Sequence, residues 1–239
     1  IALGVKEKEE VVRVWEEVLG EQQLSELHHQ IQNPLSYPAF IRRYGQLAGR
    51  NSQAEALAGY IEEKLAIIKA GHPQIRRRPR VYYCMGKPLF CIKGERFENQ
   101  MVELAGGYSV NKELNIDGRP GETITLAELR AINPEVVFIS AFISTPVASF
   151  YRSCTEQAID IPAVLDRRVY LHPSPGWDFG NPRWILGLMN IANLLHPEIY
   201  HFDIQAESQQ FYRDFYQTEY NPSAVNRSFS KPTRHWSWK

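Results

Sequence analysis

Residues 124–140 read Ile-Thr-Leu-Ala-Glu-Leu-Arg-Ala-Ile-Asn-Pro-Glu-Val-Val-Phe-Ile-Ser. Two periodicities meet inside this stretch. Thr125 and Glu128 have capping-box spacing, in which each side chain satisfies a free backbone N–H at a helix start. Asn133-Pro134 ends that helix, because a proline ring disfavours helical backbone in the residue before it. Val136 to Ser140 then runs apolar without alternation, the pattern of a strand covered on both faces. A helix, a tight stop and a doubly covered strand together form one unit of an α/β fold.

The same texture continues on either side. Arg80–Met85 reads as a strand, Pro88–Ile92 as a short second one, and Phe97–Ala105 as a helix stopped by Gly106-Gly107. Downstream come a helix over Val147–Ala158, a strand over Arg168–His172, a strongly apolar helix over Pro182–Leu195 and a Tyr/Phe-rich helix over Ala206–Tyr216. This order predicts a doubly wound, mostly parallel α/β lobe preceded by a long helical segment. In that segment Val11, Val14, Trp15, Val18 and Leu19 recur at helical spacing. A second helical stretch, Gln22–Gln32, ends before Asn33-Pro34, and its adjacent His28 and His29 point to different faces. Pro38–His72 reads as one long helix or as a pair divided at Gly49-Arg50-Asn51.

Composition limits the function. The 239 residues are 44% apolar and 23% charged, which suits a packed core and excludes a disordered chain. Lys+Arg and Asp+Glu number 27 each, so the net charge is zero, and the pI is about 7.2. That balance argues against a dedicated nucleic-acid binder. The run Arg76-Arg77-Arg78-Pro79-Arg80 is short and isolated, and reads as a connector before a strand. No apolar run approaches the roughly 18–20 residues that cross a bilayer. With Ile1 in first place and no signal-peptide pattern behind it, the chain is expected to begin within a longer or processed protein. The last residues, 221–239, lack periodicity; they read as a frayed tail, with Trp236 and Trp238 arguing for some docking onto the body. Cys84, Cys91 and Cys154 match no zinc spacing. Cys84 and Cys91 are spaced to face each other across a hairpin, either as a disulfide or as two small core residues.

In open α/β sheets, ligands sit beyond the carboxyl ends of the strands. That rule selects three loops: Met85 and Lys87 after the first strand, Phe142 and Ser144 after Val136–Ser140, and Ser174, Gly176, Trp177, Asp178, Phe179 and Gly180 after Arg168–His172. In the third loop Trp177 and Phe179 offer rings for stacking. Arg183 offers a guanidinium at a helix start, where backbone N–H groups also favour an anion. Each has a plain structural counterpart: Trp177 as a plug, Arg183 as an ion-pair partner of Asp178, Lys87 as a hairpin-turn lysine. His172 reads as a satisfied histidine. Cys84 and Met85 are soft donors on a strand whose burial favours a core role. No G-x-S-x-G, H-E-x-x-H, Walker A or G-x-G-x-x-G is present, so no catalytic residue is assigned.

Several phrases in order resemble one family. RRYGQLAGRNSQAEALAGYIEEKL (42–65) is similar to its backbone helix, RVYYCMG (80–86) to the first strand of its C-terminal lobe, and FENQMVELAGGYSVNKEL (97–114) to a helix followed by a Gly-Gly turn and an Asn. ITLAELRAINPEVVFIS, DRRVYLHPS (166–174) and the segment from Leu194 to Tyr220 continue the match. The family is the helical-backbone substrate-binding proteins of ABC importers, which handle iron–siderophores, haem, cobalamin and some oxyanions or metals. The resemblance implies an N-terminal helical segment over 1–38 that replaces most of an N-terminal lobe, a backbone helix over 39–73, a C-terminal α/β ligand-binding lobe over 74–220 and a tail over 221–239. It also implies an extracytoplasmic protein, periplasmic or lipid-anchored. Such a protein takes a ferric siderophore, haem or cobalamin as ligand, needs no intrinsic cofactor, and docks on a membrane permease through surface acids, of which Asp178 is the nearest. A homodimer covering a half-site is a further expected partner. The rivals on the same lobe are a metallocofactor-related enzyme or assembly domain, and a ligand-free oligomerising module.

Overall fold

The computed structural model describes residues 20–140, 143, 145–178 and 180–221. The helix expected around Val11–Leu19 and residues 222–239 lie outside that set. Two compact units divide the chain, residues 1–62 and 63–239.

The first unit holds α1 (Glu21–Ile31), α2 (Tyr37–Leu47) and the start of α3 (Asn51–Gly71). The stretch read as one helix or two is therefore two. At the end of α2, Arg50 N–H reaches Gly45 O at 2.7 Å and Gly49 N–H reaches Gln46 O at 3.3 Å, the paired bonds that close a helix with a left-handed residue. The guanidinium of Arg42 on α2 grips Glu55 at 2.8 Å and Glu62 at 2.5 Å, both on α3.

The second unit is the α/β lobe. Its strands are β1 (Arg80–Cys84), β2 (Phe90–Ile92), β3 (Tyr108–Ser109), β4 (Gly121–Thr123), β5 (Val136–Ile139) and β6 (Val169–Leu171). They order as β4-β2-β1-β5-β6, with β3 beside β1. β3, β5 and β6 run parallel to their partners, while β2 and β4 are antiparallel. The expected mostly parallel sheet is present, and the short β3 and β4 add to it. Among the described residues the helices of this lobe are the end of α3, α4 (Phe97–Leu104), α5 (Leu126–Ile132), α6 (Val147–Glu156), α7 (Pro162–Leu165), α8 (Trp184–Leu195) and α9 (Ile204–Tyr216).

Local chemistry sets these boundaries. Thr125 and Glu128 form the predicted capping box at the start of α5. α4 ends as predicted: Gly106 has φ +84°, its N–H bonds Glu103 O at 3.1 Å, and Gly107 N–H bonds Val102 O at 2.9 Å. β5 is buried at every residue. One face of the sheet packs Tyr82, Cys84, Val137 and Ile139 against Leu129, Ile132, Phe150 and Cys154. The other carries a cross-strand aromatic row: Tyr83 on Phe138 at 5.8 Å, Phe138 on Tyr170 at 5.7 Å and Phe138 on His172 at 5.8 Å. Asn111 completes the edge of β1 between β3 and β2. Its amide oxygen accepts from Tyr83 N–H at 2.8 Å, and its amide nitrogen donates to Tyr83 O at 2.7 Å and Ile92 O at 3.0 Å.

Two of the open readings resolve here. Cys84 and Cys91 are register partners across the β1–β2 hairpin, and all three cysteines are buried free thiols. Burial pushes the thiol of Cys91 up to about 12 and that of Cys154 to about 11. The arginine run is a clamp on the amino end of the sheet. Arg77 pairs with Glu135, and Arg78 meets Glu103 and the Gly107 carbonyl. Arg80 reaches Glu113 at 2.8 Å and Ile132 O at 2.7 Å. No helix among the described residues is long and apolar enough to cross a membrane.

Candidate functional site

The three predicted loops lie at the carboxyl ends of β1, β5 and β6. Lys87 is exposed at the tip of the β1–β2 hairpin, where Phe90 N–H bonds Lys87 O at 3.0 Å. Met85 is half-buried beside it. The first two loops touch: a Cβ on Gly86 would lie 2.7 Å from Thr145 Oγ1 and 3.1 Å from Ile143 Cγ2. Phe142, Ser144 and Phe179 lie outside the described residues.

Under the third loop is a buried polar cluster drawn from four elements. Tyr83 on β1 places its hydroxyl 2.8 Å from His172 Nε2, just past β6. Ser140, just past β5, donates its hydroxyl to Asp178 Oδ2 at 2.8 Å. Glu98 on α4 is wholly buried, and Arg96 meets it at 2.7 Å. Burial pushes the Glu98 carboxyl up against the pull of Arg96, with the negative charge of Asp178 adding to the rise. Burial pushes the His172 imidazole down to about 3, so it is neutral at physiological pH. Burial raises the Tyr83 phenol, and Asp178 and Glu98 add to it. His172 Nδ1 and Trp177 Nε1 are buried here without a hydrogen-bond partner. His172 therefore departs from the reading of a satisfied histidine, because only one of its nitrogens is partnered.

Several expectations are corrected by this packing. Trp177 is not an open stacking surface. It is 0% exposed, its carbonyl lies where a Cβ on Gly187 of α8 would approach to 1.9 Å, and Tyr220 covers its ring at 6.0 Å. Asp178 is neither the surface partner of Arg183 nor a surface acid for docking, because it is 0% exposed and bonded to Ser140. Ser174 is equally buried. The helix start at α8 offers no free donors for an anion, because Trp184, Ile185 and Leu186 donate to the carbonyls of Asn181, Pro182 and Arg183.

Arg183 remains half-buried, and neutral groups surround it. Its Nε donates to Asn181 Oδ1 at 2.8 Å, its Nη1 to Tyr212 OH at 3.2 Å, and its guanidinium lies 5.9 Å from the Tyr216 ring centroid. The loop closes on itself through Asn181 Nδ2 and Gly176 O at 2.7 Å. Sequence reasoning missed Glu98, in the first turn of an ordinary amphipathic helix, and Arg96, the residue that precedes that helix as its N-cap. It also missed the Tyr212–Tyr216–Tyr220 group, whose only signal was an excess of tyrosine near residues 212–220. Among the described residues no cluster of His, Cys, Asp or Glu has the arrangement to hold a metal ion.

No protein-family model matches the chain, and no curated protein does. Solved structures do. A periplasmic solute-binding protein from Veillonella parvula superposes with a TM-score of 0.69 at 24% identity, covering 80% of this chain and 59% of the other. An ABC transporter solute-binding protein from Sulfurospirillum deleyianum gives 0.66 at 27% identity, covering 82% and 61%. The Haemophilus influenzae molybdate periplasmic binding protein MolA, bound to molybdate, gives 0.67 at 19% identity, covering 79% and 58%. The fold is thus the one found in solute-binding proteins of ABC transporters, as the sequence resemblance implied. The chain spans about three fifths of the length of these first relatives.

Proposed function

We propose that this chain is a solute-binding component of an ABC importer, or a part of one, and that it takes an iron complex such as a ferric siderophore, haem or cobalamin. The ligand would sit against the loops after β1, β5 and β6, and a membrane permease would receive it in an extracytoplasmic compartment. The observation that carries this reading is the third loop. There two partly open rings, Tyr216 and Tyr220, lie near an arginine whose described partners are all neutral. A flat ligand with peripheral carboxylates or oxyanions matches both features. The likeness to a molybdate-bound protein favours a second reading, a bare oxyanion held at Arg183 alone.

Titration of tryptophan fluorescence with haemin, cyanocobalamin, a ferric catecholate and molybdate tests both. The expected result is saturable binding of one iron complex or tetrapyrrole, weakened about tenfold or more in Arg183→Ala through loss of a charged hydrogen bond. Binding of molybdate alone would select the second reading. No response from folded protein to any of the four overturns both.

A further inference from the structure

The helix α9 ends at Gln217, whose φ of +52° turns the chain back on itself, and Thr218 N–H bonds Tyr212 O at 3.3 Å. The turn delivers Tyr220 onto two rings at once. Its centroid lies 6.0 Å from that of Trp177, with planes 32° apart, and 5.1 Å from that of Tyr212. Ser174 lies beside its phenol. Tyr220 is only half-buried, whereas Trp177 beneath it is 0% exposed. The cover is imperfect chemically. The tilted ring contact with Tyr220 shields Trp177 but leaves its Nε1–H buried without an acceptor, which ordinarily costs free energy.

We propose that Tyr220 is a built-in occupant of the ring site on Trp177, which an incoming ligand must displace. The competing ligand is of one class: a flat conjugated ring bearing a hydrogen-bond acceptor, which supplies the ring contact Tyr220 gives and the acceptor it does not. This deepens the reading of the third loop as a ligand site and rests on it. Binding then carries the cost of lifting Tyr220, and removing its ring removes that cost.

The test uses the full chain with Trp15, Trp236 and Trp238 replaced by Phe, leaving Trp177 and the fully buried Trp184 as emitters. Tyr220→Ala is expected to red-shift the emission and steepen quenching by acrylamide. Millimolar p-cresol is expected to restore protection in that variant, and Tyr220→Phe to behave like the parent. Haemin is expected to bind Tyr220→Ala about fivefold more tightly, the worth of one aromatic pair. Unchanged emission and quenching in Tyr220→Ala overturn the proposal, since Trp177 would then be sealed by its own loop and α8. An uncovered Trp177 with unchanged haemin affinity also overturns it. If haemin binds no variant while p-cresol still protects Trp177, the covered ring site stands and the haem reading falls.

Discussion

The two ends of this sheet are closed by opposite means. At the amino end, Arg77, Arg78 and Arg80 lie across the strand starts on Glu135, Glu103, Glu113 and two backbone carbonyls, with the Arg77 side chain 73% exposed. At the carboxyl end, Tyr83–His172 and Ser140–Asp178 are packed away from water, and Arg96, its side chain 29% exposed, reaches inward to a fully buried Glu98. Water screens the first set, so each pair contributes little. The second set has lost its solvent, and any partner removed leaves a desolvated group behind. The difference teaches where burial is costly: at the carboxyl end, whose polar groups are desolvated and incompletely satisfied, and where the proposed ligand site lies.

Removing one residue from each end measures that contrast, and the largest effect is expected at Arg96. Arg96→Ala strands a buried Glu98 and should lower unfolding stability by about 3–5 kcal/mol in urea denaturation. A loss under about 1 kcal/mol would mean the carboxyl end is as wet as the amino end. Gly187→Ala should follow, at about 3 kcal/mol, because its Cβ collides with the Trp177 carbonyl and forces the third loop off α8. Unchanged thermal unfolding in that variant would show the loop is not seated on the helix.

Acid should also separate the two ends. His172 takes up a proton near 6.5 when unfolded but only near 3 in the fold. Its contribution is therefore whole above about pH 6.5 and is lost as the pH falls, by about 1.4 kcal/mol per unit. Glu98 acts in the opposite sense, since its carboxyl is raised in the fold and protonation relieves it. Urea midpoints between pH 7 and 4.5 should fall less in His172→Gln than in the parent, and more in Glu98→Gln. Equal slopes in all three would remove the buried imidazole from the account. The smallest effect belongs to Arg77→Ala, expected at under about 1 kcal/mol and fading further in salt. A larger loss would make the amino-end clamp a true stabiliser.

Much of the lobe was legible because its signals are local. The Thr125/Glu128 box, the Gly106 stop and the apolar run of β5 each depend on neighbours within a few residues, and each stands where expected. β3 and β4 were not legible, because strands of two and three residues carry no period. The three loops were placed by a rule about strand direction. Their interior was not, since Asp178 finds Ser140 and Tyr220 finds Trp177 only when distant segments meet.

By itself, then, the amino-acid order determined the succession of the longer helices and strands, the parallel core and the loops at the carboxyl ends of its strands. Those features follow from hydrophobic period, capping and turn chemistry, which act over one or two turns of chain. Tertiary structure alone decided that Trp177 and Asp178 are covered, that His172 is held neutral and that Glu98 is buried close to Asp178. Burial and charge proximity belong to pairs far apart in the chain, such as Tyr83 with His172, and no local pattern encodes which of them come together.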